Sequence, residues 1–379
     1  MRSQRDLVLI TGRWRKDSSL YPAEKLITIL KAYADSITWI ATKEGGLDYH
    51  DDCVHLIEVP DRLVEEPFYL NLFYHILHQL RVLSLLVRTR GDTVVFAFGS
   101  DLCLLPIIFG RLAGKEVILR SDGRPSKVYG MGKDQAAPII ERMFWLIERI
   151  TYATASRLVP ESPVMVSRYH LERYQHKIET GGLYVDTGLF ISIKEVEKRR
   201  FRVGYVGRLS EEKGVLAFAE SLSTILSDPG EEAMIIGYGH LAPVVARILS
   251  DGGIQHQVLC TGRIENRDLP RYLNEIQMVV LPSAFEGLPN VVLEAMACGC
   301  AVLATPVGGI PDLVHDGVTG FLLDDQSPEA IARGISRAYS HYDLAGITEN
   351  ARHLIEQQYT FPAAVERYGR VLGIPHPAK

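Results

Sequence analysis

Two glutamates, Glu286 and Glu294, stand eight positions apart in "EGLPNVVLE", and two cations, Arg208 and Lys213, stand in "VGYVGRLSEEKGV" some eighty residues earlier. Carboxylates accept paired hydrogen bonds from vicinal hydroxyls, whereas a guanidinium and an ammonium neutralise phosphate oxygens. Acids and cations brought to one edge would therefore suit a molecule with sugars on either side of a diphosphate. Taken singly, each residue has a plainer reading: a solvated loop cation, a helix-start acid, or an exposed helical acid.

The elements that must position them follow from the apolar pattern. "FRVGYVG", "AMIIGYG", "QVLCTG", "MVVLPS" and "AVLAT" read as buried strands, alternating with helices near 213–226, 241–251, 267–276 and 290–298. Pro289 is expected at the first helical position, with Gly299 as the stop, which leaves Glu286 in a loop and Glu294 on a helix. In the first half, "DLVLIT", "ITWIAT", "TVVFAF", "EVILRS" and "RLVPE" alternate with helices near 22–34, 67–88, 101–113 and 136–153. Near-continuous apolar strands between helices imply parallel sheets covered on both faces. The expected fold class is thus α/β, with two Rossmann-like doubly wound domains. The boundary falls at 190/191, giving domains 1–190 and 191–379, with "SIKEVEKRR" (192–200) an exposed connector and the final helix packing back on the first domain.

In such sheets ligands bind at the carboxyl ends of the strands, where glycines let the backbone approach and helix N-termini face anions. Gly207, Gly237 and Gly262 mark that edge. Pro289 has no N–H, so Asn290 and Val291 are the better backbone donors.

With 379 residues, 47% hydrophobic and 23% charged, the chain reads as a soluble protein of two domains. Five cysteines without C-x-x-C spacing indicate neither a disulfide framework nor a zinc site, and a reducing cytoplasm is expected. The first 190 residues are close to neutral and the remainder carries the negative excess, so nucleic acid is not an expected partner. The N-terminal apolar run is too short for a signal peptide. "FYLNLFYHILHQLRVLSLLV", Phe68 to Val87, is long enough to span a membrane, but Asn71, His75, His78, Gln79 and Arg81 mark it as a helix covering a sheet.

The Glu286/Glu294 pair inside "PSAFEGLPNVVLEAMACGCAVLATPVGGIPDLV", together with "GRLSEEKG", resembles glycosyltransferase family 4 of the GT-B fold, across roughly residues 180 to 375. "YVDTGLF" is similar to the segment that precedes the linker in that family. The resemblance implies two domains facing across a cleft and a retaining transfer from a nucleotide-diphosphate sugar, UDP- or GDP-linked. The second domain would hold the donor and the first a glycan, lipid-linked or small-molecule acceptor. Glu294 would hold the ribose, Glu286 the donor sugar, and Arg208 and Lys213 the leaving diphosphate without a metal. The donor set it implies is Gly207, Arg208, Lys213, Gly237, Arg263, Ile264, Glu286, Gly287, Leu288, Asn290, Val291 and Glu294. No cofactor beyond the donor substrate is expected. No Asp-x-Asp pair stands in a suitable loop, and Asp51-Asp52 and Asp324-Asp325 are expected to be solvated turns.

On the acceptor side the expected residues are Gly12, Arg13, Asp122 and Gly123. The family's double glycine is absent from "TGRWRKD", where Gly12 stands alone. Asp122, after "EVILRS", would orient the acceptor or stabilise charge at the anomeric carbon, with a simple Asp-Gly turn as the alternative. Arg13, Arg15, Lys16, Arg120 and Arg124 would suit a phosphorylated acceptor or be ordinary solvated loop cations. Trp14 would pack, stack on a sugar, or touch a membrane, the last making the protein peripheral on the inner face. His170 and His240 carry no assigned chemistry. A nucleotide-sugar-binding protein without transferase activity and a GT-B epimerase remain as alternatives; the intact Arg208, Lys213, Glu286 and Glu294 favour transfer.

Overall fold

The computed structural model describes residues 5–14, 20–43, 46–47, 49–60, 68–121, 137–341 and 343–374. The chain forms two compact units, Met1–Leu183 with Ala364–Lys379, and Tyr184–Ala363.

The first unit is built on a six-stranded sheet in the order β3-β2-β1-β4-β5-β6. Its strands are β1 (Asp6–Trp14), β2 (Ser36–Lys43), β3 (Val54–Glu58), β4 (Thr93–Ala97), β5 (Glu116–Ser121) and β6 (Arg157–Pro160). All its pairings are parallel. Helices α1 (Tyr21–Leu30), α2 (Phe68–Arg88), α3 (Leu104–Leu112), α4 (Ala137–Thr154) and α5 (Val164–Arg168) connect or follow these strands. "TGRW" is strand rather than loop: β1 continues to Trp14, with its register on β2 slipping between Ile10 and Arg13. Gly12 sits in that slip, its amide donating to the Phe98 carbonyl at 3.1 Å. A Cβ there would lie 2.3 Å from the same carbonyl oxygen, so this close backbone approach requires a glycine.

The second unit repeats the plan. Its strands are β7 (Phe201–Val206), β8 (Ala233–Ile236), β9 (Val258–Gly262), β10 (Ile276–Leu281), β11 (Ala301–Ala304) and β12 (Phe321–Leu322). They lie in the order β12-β11-β10-β7-β8-β9, again with parallel pairings. Helices α6 (Val215–Ile225), α7 (Ala242–Asp251), α8 (Leu269–Leu273), α9 (Asn290–Ala297), α10 (Pro328–Tyr339) and α11 (Leu344–Gln358) complete it. In each unit the chain starts at the middle of the sheet, winds to one edge, returns and winds to the other. The strand order reverses between β1 and β4, and between β7 and β10, which is the doubly wound plan with its ligand crevice at the reversal.

The last helix, α12 (Phe361–Val371), takes most of its length from the segment assigned to the first unit. Tyr368 donates to the Gly181 carbonyl at 2.9 Å and Tyr33 donates to the Val365 carbonyl at 2.7 Å.

Several expectations need correction. The division falls at 183/184, so "SIKEVEKRR", although exposed at most of its residues, lies within the second unit rather than between the units. Arg199 is buried in the second unit and donates to the carbonyls of Lys194, Leu273, Ile276 and Cys298, while Val196 is also buried. The helix expected over 267–276 shrinks to Leu269–Leu273, because the chain must already be extended at Ile276 to enter β10. Arg120 is no loop cation; it lies in β5, buried, ion-paired with Glu161 and stacked on Phe98 at 4.6 Å.

Candidate functional site

The site is built where β7 and β10 run side by side at the reversal of the second sheet. β7 ends at Val206, and the buried Tyr205 donates its hydroxyl to the Arg208 carbonyl at 2.6 Å. The Leu209 amide donates to the Tyr238 carbonyl at 2.9 Å, which ties this loop to the one after β8. A short 3-10 turn, Glu211–Lys213, then leads into Gly214, whose φ of 70° lies in the left-handed region. A Cβ on Gly214 would approach the Pro282 carbonyl oxygen to 2.2 Å, so the "KG" pair lets the β7 loop lie against the end of β10.

That approach brings Lys213 to Glu286. The Lys213 Nζ lies 2.7 Å from Glu286 Oε1, with the two side chains 22% and 8% exposed. Residues 73 positions apart, on the loops after the two strands flanking the reversal, are thus joined by one charge-assisted hydrogen bond. Arg208 is more exposed and faces Glu212 at 3.7 Å. Burial raises the Glu212 carboxyl, but the hydrogen bond from Ser210, its own backbone amide and the nearby Arg208 and Lys213 outweigh this and hold it below the ordinary range. The Tyr205 hydroxyl is pushed up strongly by burial, then by the charges of Glu286 and Glu212, against a smaller opposing pull from Arg208; it therefore stays a neutral donor.

Glu286 leads into α9. Pro289 is the N-cap, extended at φ −71° and ψ 118°, rather than the first helical residue, so the helix proper begins at Asn290. Amides of a first helical turn have no intrahelical acceptor and face outward, Val291 among them. The helix ends as the glycine suggests: the Gly299 amide donates to the Met296 carbonyl at 3.0 Å and the Cys300 amide to the Ala295 carbonyl at 2.9 Å. Glu294, one turn in, is 3% exposed and accepts from Asn266 Nδ2 at 3.1 Å. It is no solvated helical acid.

The other residues expected on the donor side make the following contacts. Gly237 donates its amide to the Gly262 carbonyl at 2.9 Å, and the Gly207 amide donates to the Ile236 carbonyl at 2.9 Å. Arg263 stacks over Tyr238 at 5.2 Å, Ile264 packs on the core, and Leu288 is buried. The Gly287 carbonyl accepts from the Gly309 amide at 2.8 Å. Sequence reading missed Asn266, Tyr205, Glu212 and the Gly308-Gly309 turn. "PVGG" was visible as part of a motif, but nothing in the spacing of Asn266 pointed to Glu294.

On the acceptor side, Arg13 lies in β1 opposite Thr42, whereas Asp122, Gly123, Arg124, Arg15 and Lys16 fall outside the described residues. Trp14 packs: its ring nitrogen donates to Thr11 Oγ1 at 3.2 Å and its ring lies 5.5 Å from Phe98. His240 pairs with Glu211 at 2.9 Å on the surface, and His170 is exposed with a φ of 56°. Asp51 pairs with Lys31 at 2.6 Å, and Asp325 accepts from the Ser327 amide at 2.7 Å. Among the described residues, no three His, Cys, Asp or Glu side chains converge to hold a metal ion.

Comparison with known proteins matches residues 200–341 to the family model described as glycosyl transferases group 1. The amylovoran biosynthesis glycosyltransferase AmsK of Erwinia amylovora is 29% identical over 48% of this chain and 47% of its own length. The alpha-D-kanosaminyltransferase of Streptomyces kanamyceticus is 30% identical over 42% of each chain. Each match therefore spans less than half of the relative. Among solved structures, Anabaena HepE in complex with UDP and glucose superposes with a TM-score of 0.74 over 97% of this chain and 99% of its own, at 18% identity. The architecture is the GT-B fold, two Rossmann-like units with parallel six-stranded sheets. Residues 200–341, which hold Arg208, Lys213, Glu286 and Glu294, are thus similar to the group 1 glycosyl transferases.

Proposed function

We propose that this protein transfers a sugar, with retention of anomeric configuration, from a nucleotide-diphosphate sugar to a glycan, lipid-linked or small-molecule acceptor. The observation that carries this reading is the Lys213–Glu286 pair bridging the loops after β7 and β10 at 2.7 Å. A sugar hydroxyl entering there can accept from the ammonium and donate to the carboxylate, and an adjoining diphosphate meets Lys213, Arg208 and the first amides of α9. Glu294, held by Asn266, takes the ribose hydroxyls. Arg208 and Lys213 do the work of a metal in stabilising the leaving diphosphate, so transfer is expected to survive EDTA.

In this reading Asp122, with Gly12, Arg13 and Gly123, serves the acceptor from the first unit. Sugar transfer to that acceptor is expected to fall in Asp122→Asn while nucleotide affinity is kept, and equal loss of both would overturn the assignment. Because HepE has been crystallised with UDP-glucose, UDP-sugars are the first donors to test, with GDP-sugars beside them.

The two acids should separate in a calorimetric titration. Glu294→Gln is expected to weaken both UDP and the intact UDP-sugar by roughly tenfold or more, since a charge-assisted hydrogen bond contributes about 1.5–3 kcal/mol. Glu286→Gln is expected to spare UDP and weaken only the intact donor or its transfer. Equal losses for both ligands in both variants would refute the division of roles.

A further inference from the structure

The face of the first sheet covered by α2, α3 and α4 carries a surface that the donor site does not use. The connections β3 to β4, β4 to β5 and β5 to β6 all advance in the same direction across the sheet, so right-handed crossovers put all three helices on one face, and α2 packs on α3 and α3 on α4. Their outer sides are apolar. Phe73, Ile76, Leu80 and Val87 form one stripe on α2, Phe109 and Leu112 continue it on α3, and Trp145, Leu146 and Ile150 on α4. Each is more than a third exposed, with Val87 and Leu112 the extremes at 71% and 76%. A soluble protein rarely leaves so many large apolar side chains on one face.

The charges on that face are one-sided. The three helices carry Arg81, Arg88, Arg111, Arg142 and Arg149, against two acids, Glu141 and Glu148, of which Glu148 is 1% exposed. Arg149 stacks over Trp145 at 4.6 Å, and beside it a cavity of about 270 Å³ is lined by Trp145, Glu148, Arg149, Tyr169, His170 and Arg173, among others. The whole chain carries a net charge of −5, so this cationic, apolar face runs against the protein's overall sign. A second copy meeting it across a two-fold axis would bring like charges together. No described helix is long and apolar enough to cross a membrane. Apolar side chains interspersed with arginines, lying flat rather than spanning, match the boundary between lipid headgroups and acyl chains.

We propose that the outer face of α2, α3 and α4 docks on an anionic lipid surface, independently of the donor site. It thereby takes the place of Trp14, whose ring is occupied in packing at the end of β1. The test is co-sedimentation of the full chain with vesicles of phosphatidylcholine alone or with about 40% phosphatidylglycerol, at about 0.1 M salt. Binding is expected only to the anionic vesicles. Val87→Ser/Leu112→Ser/Leu146→Ser and, separately, Arg88→Gln/Arg111→Gln/Arg149→Gln should each reduce partitioning at least tenfold, with far-UV dichroism and UDP affinity unchanged. These side chains are exposed or half-buried, which keeps the fold intact. Wild-type chain that stays in the supernatant, or variants that sediment as well as wild type, would overturn the proposal. So would a wild-type dimer that the serine variant converts to monomer, which would assign the face to a second copy.

Discussion

Lys213→Ala is expected to lower kcat by about 100-fold or more, the usual loss when one preorganised charge partner of a developing anion is removed. The substitution acts twice. It deletes the ammonium that meets the leaving diphosphate, and it leaves Glu286, whose side chain is only 8% exposed, without its counter-charge at 2.7 Å. The two effects can be told apart. Lys213→Ala/Glu286→Gln removes the uncompensated charge, so it should recover most of any lost thermal stability while turnover stays well below that of Glu286→Gln alone. Lys213→Arg keeps the charge but replaces a compact ammonium with a planar fork, and it is expected to fall between wild type and alanine. Unchanged turnover in Lys213→Ala would sink the phosphate assignment, and recovery of activity in the double variant would show that the lysine serves the fold rather than the reaction.

The largest effect on stability is expected at Arg199. Its guanidinium donates to the carbonyls of Lys194 at 2.8 Å, Cys298 at 2.7 Å, Ile276 at 3.0 Å and Leu273 at 3.3 Å, and it also reaches the sulfur of Cys300. These carbonyls belong to the end of α8, β10, the end of α9 and the segment before β7, so one side chain fastens the opening of the second unit to its core. Arg199→Met keeps the aliphatic stem and leaves several buried acceptors without a donor. It should destabilise the second unit by about 3–5 kcal/mol in chemical denaturation. Arg200→Met, next in sequence but an exposed partner of Glu232, should leave the denaturation midpoint where it was. Equal midpoints for the two variants would refute the fastening role.

Buried apolar runs are the strongest signal a sequence carries for parallel sheets, which is why five of the six strands of the second unit and the loops that follow four of them could be placed from residue types alone, whereas the two-residue β12 is too short to leave such a run. The carboxyl edge then assembled Glu286 and Lys213 without any knowledge of their contact. What could not be read is equally physical. "SIKEVEKRR" has the composition of solvated chain, and only the convergence of distant carbonyls shows that Arg199 is enclosed. Arg120 has the same one-letter identity as a surface cation, yet Glu161 and Phe98 hold it inside the first unit. Asn266 reaches Glu294 across the turn between β9 and α8, a contact no local periodicity encodes. The 267–276 helix failed because a helical pattern competed with a strand that had to begin at Ile276. Helices α10 and α11 lie beyond the motifs that mark the site. α10 opens with Ser327 accepting from the Ala330 amide at 3.2 Å, a capping signal legible in "SPEA".

The first unit takes its residues from both ends of the chain, Met1–Leu183 and Ala364–Lys379, whereas the second is one uninterrupted stretch. In topological terms the second unit is an insertion in the first. Its two ends are already stitched together by the Val185 amide on the Tyr359 carbonyl at 2.8 Å, so residues 184–363 can be excised as a single polypeptide without leaving distant termini to close. The reverse operation is not equivalent. A stop codon before Ala364 deletes Tyr368 from Gly181 and Val365 from Tyr33, and thus injures the half of the molecule encoded at the start of the gene.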